Sequence, residues 1–447
     1  MKKKIMSIVL LMGMVASNLL VACGMKTEPV IEKETQTTQE MSVIKDEIVP
    51  TVTGALKEVR DLSAESNVGI CIDYAIDTFA PVQKFGYRLF KENLQNENPV
   101  LSPVSAYIAL TMAGNGASEN TYDEFLTVLG ENGDMTVMSD YMINVFPKKA
   151  DNLKVQLANS AWIDDEFTVS KDWIGKITSL YDAQAFQNDL KTEQTMHAMN
   201  EWVNIHTNGL IKEMIEQPLD KETRLVLFNA LYFKGLWCNA FWPESTYDET
   251  FYAKDGDIQV PMMHQSMEHY DYFSNDEVVG AVMPYRDGNY AFVAFMPQNV
   301  KDNVRNIYKE MTPEKVGALL ESGQSTLMNL TLPKFEVSFD QKLNDSLMNM
   351  GLVDAFDREK ADFSEMGTTD SGYPICIDIV RQKAVVKLDE EGTEAAVVTE
   401  IAMVDTCALL VEEPIEVRFN RPFGYMIMEM ETQIPLFVGI MDNPVAE

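Results

Sequence analysis

The chain has 447 residues, and 46% of them are hydrophobic. A chain of this length and composition buries a sizeable core, so a wholly disordered protein is excluded. The formal net charge of −33 also excludes a nucleic-acid-binding protein, because no excess of basic groups is available to neutralise phosphates. The five cysteines contain no C-x-x-C pair, which argues against a disulfide scaffold and against a zinc site; they are Cys23, Cys71, Cys238, Cys376 and Cys407.

The first 22 residues are typical of a secretory signal peptide. Three lysines at positions 2–4 precede an apolar run from Ile5 to about Val21. The sequence Leu20-Val21-Ala22-Cys23 then resembles a bacterial lipobox, in which the cysteine is acylated and becomes the new first residue. We therefore predict a cell-surface lipoprotein anchored to a membrane through Cys23. The alternative is a secreted protein with an ordinary signal peptide and an incidental cysteine.

Residues 23–70 follow as a lipidated cysteine and a flexible polar tether, because threonine, glutamate, glutamine and lysine dominate and aromatic residues are few. Dense apolar periodicity then continues without a second linker, so residues 71–447 are predicted to form one domain.

Helical patterns dominate the first half of this domain and strand patterns the second. Apolar residues at helical spacing cover 82–90, Ser102-Pro103 is typical of a helix start that runs to about Gly114, and a third helix is expected to end near Gly209. The run 225–233 is almost continuously apolar, as for a strand covered on both faces. Further strands are predicted at 290–296, 383–388, 416–419, 425–429 and 436–441. This pattern favours an α+β fold with large mixed sheets.

Signatures of enzymes are missing from the sequence. It contains no H-E-x-x-H, G-x-S-x-G, Walker or G-x-G-x-x-G motif. The four histidines, His197, His206, His264 and His269, have no metal-ligand spacing. We therefore predict no enzyme activity, no metal and no cofactor, although a Ser-His-Asp triad assembled in space would escape this search.

The segment 389–404 is the most unusual part of the sequence. It begins with three acidic residues and Gly392, which is typical of an exposed turn, and continues as a strand pattern. In an extended chain both of its later glutamates, Glu394 and Glu400, fall on one face, and the other face carries no charge. Periodicity alone allows two interpretations of this segment: an ordinary edge strand, or a strand that inserts between two others.

Motifs along the chain favour the second interpretation. Residues 392–396 (GTEAA) resemble the hinge of the reactive-centre loop of inhibitory serpins. Seven further segments resemble motifs of that family and occur in the family's order. They are NPVLSPVS (98–105), NEWVNIHTNG (200–209), FNALYFKGLW (228–237), LPKF (332–335), ADFS (361–364), FNRPF (419–423) and FVGI (437–440). Each is weak alone, but together they identify a likeness to the serpin family over about residues 74–444.

The resemblance implies the serpin fold, with large mixed β-sheets, about eight or nine helices and an exposed reactive-centre loop. It also implies a suicide inhibitor, in which a protease cleaves the loop, becomes covalently attached as an acyl-enzyme, and is carried across the protein as the loop inserts into the central sheet. The hinge would be Glu391, Gly392, Thr393, Glu394, Ala395 and Ala396. The residues that hold the sheet closed would be Ser102, Ser105, Asn229, Trp237 and Gln382.

Two features depart from the family's pattern. Gln382 stands where the family usually has a histidine, and we expect it to bridge Ser102 and Asn229 across the opening of the sheet. The segment from Gly392 to Phe419 is also longer than usual. Counting from the hinge places the cleaved bond at Thr406-Cys407, whereas an insertion before the cut would move it to Leu409 or Leu410.

The predicted partner is a serine protease, with a cysteine protease as the second candidate, and no nucleic acid. The alternative function is a non-inhibitory binding or chaperone-like protein of the same fold. In the native state we expect Thr393 to lie near the mouth of the sheet, where an introduced arginine would remain in water.

Overall fold

The computed structural model describes residues 55–62, 79–130, 135–146, 148–369, 374–393 and 413–445. These residues belong to a single compact unit that covers positions 42–447. Cys23, the signal peptide and most of the predicted tether lie outside the described residues.

The described residues form nine α-helices, of which the first six precede most of the strands. They are α1 (Ala80–Lys91), α2 (Pro103–Gly114), α3 (Glu119–Leu129), α4 (Thr136–Val145), α5 (Lys171–Leu180), α6 (Glu193–His206), α7 (Val304–Lys309), α8 (Pro313–Glu321) and α9 (Asn344–Met350). Short 3-10 helices cover Ala55–Glu58, Pro243–Ser245 and Asp354–Phe356. The helix start predicted at Ser102 is confirmed, because its hydroxyl caps α2 by accepting the Ser105 amide at 3.2 Å.

The main sheet contains eight of the described strands. They are β1 (Arg60–Asp61), β3 (Lys148–Ala150), β4 (Leu153–Ile163), β6 (Ala183–Gln187), β7 (Leu225–Leu236), β13 (Phe335–Lys342), β15 (Arg381–Leu388) and β16 (Gly392–Thr393). Their spatial order is β1-β6-β4-β7-β16-β15-β13, and β3 pairs with β4 at its side. The strand β4 lies antiparallel to β7 and parallel to β6, so the sheet is mixed as expected.

A second sheet contains nine strands, and a small two-stranded sheet completes the described β-structure. The second sheet consists of β2 (Val100–Leu101), β8 (Thr246–Ala253), β9 (Gly256–Ser274), β10 (Val278–Pro284), β11 (Tyr290–Pro297), β12 (Gln324–Pro333), β17 (Ile415–Arg418), β18 (Phe423–Glu429) and β19 (Ile434–Met441). The small sheet pairs β5 (Phe167–Val169) with β14 (Gly367–Thr369). All residues of β11, β18 and β19 are buried, because they form the centre of the core.

Two hydrophobic clusters lie on opposite faces of β7. Phe233 and the partly buried Leu227 and Leu231 contact the larger cluster, which includes α2 and the second sheet. Phe228 and Ala230 belong to the smaller cluster with Trp202 of α6. Since side chains alternate along a strand, odd-numbered residues of β7 face the larger cluster and even-numbered residues face α6. We call these the core face and the α6 face of the main sheet.

The α+β fold, and a strand at each position predicted from the sequence, are confirmed. The expected burial of 225–233 on both faces is only half right, because Leu225, Val226 and Leu227 are half-buried while 232–236 are buried. The reason is a cavity beside the first half of this strand, described below. Within the described ranges, no helix is both long enough and apolar enough to cross a membrane.

Candidate functional site

The facing edges of β7 and β15 form an opening in the main sheet. On their outer edges β7 pairs with β4 and β15 pairs with β13. Between them, the only strand that the described residues supply is the two-residue β16 at one end. Its pairs are Gly392–Leu236, Thr393–Gly235 and Thr393–Leu388. Among the described residues, no other strand pairs with the facing edges at 225–234 and 381–387, and a strand edge of this kind can bind a further strand.

A cavity of about 820 Å³ lies along this opening. The first half of β7, the first half of β15, one side of α2 and the chain that follows α6 line it. This position explains why the first residues of β7 are only half-buried.

Gln382 binds the beginning of α2. Its Oε1 accepts a hydrogen bond from the Ser102 amide at 2.9 Å, and its Nε2 donates to the Ser102 carbonyl at 2.8 Å. The Ser102 hydroxyl in turn lies 3.1 Å from that of Ser105. Two buried hydrogen bonds therefore join β15 to α2.

Asn229 belongs to a separate set of hydrogen bonds. Its Nδ2 donates to Asn159 Oδ1 at 2.6 Å, and Asn159 donates to the Tyr181 carbonyl at 2.7 Å. Among the described residues, Asn229 Oδ1 has no hydrogen-bond partner, although it is buried. The expected bridge from Gln382 to Asn229 is therefore wrong. The physical reason is that Asn159 lies directly opposite Asn229 on β4 and accepts the hydrogen bond from its amide.

Trp237 holds the chain directly before β16. Its indole Nε1 donates to the Asp389 carbonyl at 3.0 Å, and its backbone N–H donates to the Glu391 carbonyl at 2.7 Å. The buried indole also stacks on Tyr285, with ring centroids 4.8 Å apart and planes 5° apart. Trp237 thus fixes the position of the chain that leads into β16.

Gly392 and Thr393 of the predicted hinge form part of the main sheet as β16. A Cβ on Gly392 would lie 2.0 Å from the Gly235 carbonyl oxygen, so only glycine fits beside β7 here. Thr393 is 3% exposed, and its hydroxyl lies 2.5 Å from the Tyr285 hydroxyl. The expectation that Thr393 lies near water is wrong, because the pairing with both neighbouring strands buries it.

Three consecutive acidic residues, Asp389, Glu390 and Glu391, lie directly before β16. Burial raises the pKa of the Asp389 carboxyl group. Burial acts to raise the pKa of Glu390, but the hydrogen bond from Lys334, the charge of Lys334 and further hydrogen bonds to the carboxylate together outweigh it, and the pKa of Glu390 is lowered. The Lys334 ammonium group lies 2.7 Å from the Glu390 carboxylate, whose side chain is 12% exposed. This ion pair joins the start of β13 to the chain before β16.

Other predicted site residues lie outside the described residues. They are the hinge residues Glu394, Ala395 and Ala396, the candidate cleavage residues Thr406, Cys407, Leu409 and Leu410, and the lipidation residue Cys23.

The sequence reasoning missed Tyr285 and Asn159. Neither carries a local signal, because each acts through a contact with a residue far along the chain. Lys334 stood within a recognised motif, but its pairing with Glu390 was visible only in the structure.

The family model for serpins, described as serine protease inhibitors, matches residues 80–444. An uncharacterised serpin-like protein of Thermococcus kodakarensis is 30% identical over 81% of this chain and 85% of its own length. The crystal structure of the native state of the thermophilic serpin tengpin matches with a TM-score of 0.78 and 30% identity, over 86% of this chain and all of tengpin. The complex of thyroxine-binding globulin with thyroxine matches with a TM-score of 0.72 and 26% identity, over 83% of this chain and all of that one.

We predict that Asn229→Ala lowers the thermal midpoint of unfolding. The substitution leaves Asn159 Oδ1 without its donor, and an unpaired buried acceptor costs about 1–3 kcal/mol. Asn349→Ala is the matched control, because it removes an exposed amide that donates to Glu92. Scanning calorimetry that gives equal midpoints for the two variants would contradict the role of Asn229. Since its bond does not cross the opening, native gels should show monomers.

We predict that Lys334→Met destabilises the protein more at pH 7 than at about pH 4. In the wild type the pKa of Glu390 is lower in the folded than in the unfolded protein, so the ionised carboxylate stabilises the fold at pH values above the ordinary pKa of glutamate. This stabilisation is lost as the pH falls through the lowered pKa of the folded protein. Without Lys334, burial raises that pKa, so ionisation becomes unfavourable and acid restores stability. Thermal unfolding at several pH values measures the difference. Lys315→Met, which removes an exposed partner of Glu310, serves as the control. If Lys334→Met lowers the thermal midpoint by the same amount at every pH, the result would argue against the ion pair.

Proposed function

Because the chain belongs to the serpin family, we propose that it inhibits serine proteases by the suicide mechanism. Members of this family are in general protease inhibitors and not catalysts. The observation that carries the proposal is β16, where Gly392 and Thr393 pair between β7 and β15 at the end of two otherwise unpaired edges.

The proposed reaction begins with attack on the loop. The protease serine Oγ adds to the carbonyl carbon of Thr406, the bond from that carbon to the Cys407 nitrogen breaks, and the nitrogen leaves with a proton supplied by the protease. An ester then links the protease to Thr406. Because the loop is no longer held at its far end, residues after Thr393 are free to enter the opening.

Insertion explains how the protease is trapped. Residues 394–406 in an extended conformation span roughly 40 Å, so the attached enzyme would be carried toward the far end of the sheet. The unpaired edges of β7 and β15 gain backbone hydrogen bonds, and the cavity between them is filled. Insertion competes with hydrolysis of the ester, and each 1.4 kcal/mol added to the barrier to insertion slows insertion about tenfold.

We propose in addition that the protein is lipid-anchored through Cys23 at the outer face of a membrane. The support is the lysine-rich start, the apolar run and the sequence Leu20-Val21-Ala22-Cys23. Acylation with more than one chain gives stable anchoring, and residues 23–70 would then separate the inhibitor from the membrane.

We predict that Ala395→Arg converts the inhibitor into a substrate. In an extended chain Ala395 follows Thr393 on the same face, and that face is buried at Thr393. An unpaired charge forced into the sheet costs several kcal/mol, so hydrolysis should win over insertion. Denaturing gels with a panel of serine proteases should show a covalent complex for the wild type and only cleaved inhibitor for the variant.

Glu413→Arg is the matched control, because it introduces the same side chain at an exposed position beyond the predicted cut. It should still form the complex. If the wild type gives only cleavage with every serine protease tested, the inhibitor proposal is wrong and the non-inhibitory binding function replaces it.

We predict that Cys23→Ser releases the protein from membranes of a bacterial host or leaves its signal peptide uncleaved. Fractionation with mass spectrometry of the N-terminus measures both outcomes. Equal membrane association of the two proteins, with no acyl mass on the wild type, would overturn the anchor.

A further inference from the structure

The strand β17 is a short edge strand of the second sheet. It lies parallel to β12, with a register from Met328–Ile415 to Thr331–Arg418, and no other strand pairs with it among the described residues. Parallel pairing is slightly less stable per residue than antiparallel pairing, so an edge strand of this length gains little from its backbone hydrogen bonds. Side-chain contacts therefore matter for how firmly β17 is held.

An ion pair connects β17 to β8, which lies two strands beyond its neighbour β12. The Arg418 guanidinium group binds the Glu249 carboxylate. Because β17 pairs with β12, β12 with β9 and β9 with β8, this ion pair crosses both intervening strands. The chain after β17 reaches the same strand, since the Tyr252 amide donates to the Asn420 carbonyl at 2.8 Å. We call the ion pair between Arg418 and Glu249 the clasp.

His264 lies beside the clasp. It is in register with Thr331, which is in register with Arg418, so the three side chains share one face of the sheet. The Nδ1 atom of His264 lies 3.2 Å from the Thr331 hydroxyl, and its Nε2 atom lies 3.8 Å from the Glu249 carboxylate. The phenol ring of Tyr247 stacks on the imidazole with centroids 4.3 Å apart, which fixes the orientation of the ring.

The Nε2 atom of His264 is buried and has no hydrogen-bond partner among the described residues. A neutral imidazole has one donor and one acceptor nitrogen, whereas the protonated ring has two donors. The Thr331 hydroxyl can serve Nδ1 in either state. A proton on Nε2 of the charged ring needs a second acceptor, and the Glu249 carboxylate that holds Arg418 is within reach.

We propose that His264 is a pH switch for the clasp: the neutral ring leaves Glu249 to Arg418, whereas the protonated ring binds Glu249 and weakens the attachment of β17. This inference is independent of protease inhibition, because it concerns how one strand is held in the intact protein. It assigns a role to a histidine for which the sequence offered none.

The surroundings of His264 keep it neutral at neutral pH. Its side chain is 15% exposed, and burial is the largest cause of its lowered pKa. The carboxylates of Glu249 on β8 and Glu416 on β17 act to raise the pKa, and the guanidinium group of Arg418 acts to lower it; the pKa stays below its ordinary value. Strand β12 contributes Thr331, which carries no charge.

The sign of the pH dependence follows from this lowered pKa. Since the pKa of His264 is lower in the folded than in the unfolded protein, protonation destabilises the fold. The stability that depends on the neutral ring is fully present above the ordinary pKa of histidine, about 6.5. It is lost progressively as the pH falls from there to the lowered pKa of the folded protein. Acid should therefore loosen β17.

Hydrogen exchange followed by mass spectrometry tests the switch at β17 itself. The intact protein is labelled at about pH 7.5 and about pH 5.5, on either side of the ordinary pKa of histidine, with labelling times scaled to equal intrinsic rates. The variants are His264→Gln, which cannot be protonated, and Glu249→Gln, which keeps an acceptor for Arg418 but loses the charge. His206→Gln is the matched control, because burial also lowers the pKa of this histidine at the end of α6.

We expect the amides of residues 415–418 in the wild type to exchange roughly three- to tenfold faster at the lower pH than at the higher one, after this scaling. His264→Gln should abolish the difference. Glu249→Gln should give the faster exchange at both pH values, and His206→Gln should leave the exchange of β17 as in the wild type.

Three results would overturn the switch. They are exchange of β17 that does not depend on pH in the wild type, a pH dependence in His264→Gln equal to that of the wild type, and unchanged exchange in Glu249→Gln at the higher pH. If His264→Gln does not fold, His264→Phe replaces it, because a phenyl ring keeps the stacking on Tyr247 and carries no proton that titrates. Since no protease enters the experiment, these results are distinct from a failure of the proposed inhibition.

Discussion

The arrangement of this protein depends on a large sheet whose two central strands, β7 and β15, share a two-residue neighbour and no longer one among the described residues. Backbone N–H and C=O groups along a strand edge are stabilised when another strand pairs with them. Here β4 and β13 satisfy the outer edges, and β16 satisfies only the upper end of the facing edges. A strand that extends β16 would therefore lower the free energy of the molecule, provided that its side chains suit both faces of the sheet.

The contacts around β16 explain why the chain enters the sheet at that point. Gly392 fits against β7 only because it lacks a Cβ, and the Tyr285 hydroxyl contacts Thr393. Trp237 and the ion pair between Lys334 and Glu390 hold the preceding residues in place. These groups define the start of a strand at Gly392 and Thr393.

The polar groups beside the opening form two independent sets. Gln382 joins β15 to the beginning of α2, and Asn229 joins β7 to β4. Because no hydrogen bond joins the two sets within the described part of the chain, widening of the opening separates β7 from β15 without breaking either one. Gln382 and Asn229 therefore stabilise the parts of the sheet on either side of the opening more than they hold β7 and β15 together.

The sequence by itself determined the fold class, the strand positions and the candidate hinge, because alternation, helix caps and family motifs are local properties of the chain. Residues 392–396 could be proposed as a hinge for that reason. The burial of Thr393, the partners of Gln382 and Asn229, and the ion pair of Glu390 were decided only by the tertiary structure. Each depends on which strands become neighbours, and pairing between residues far apart along the chain leaves no signal in either segment alone. The half-burial of Leu225 to Leu227 has the same origin, since an apolar run predicts a buried strand and says nothing of a cavity beside it.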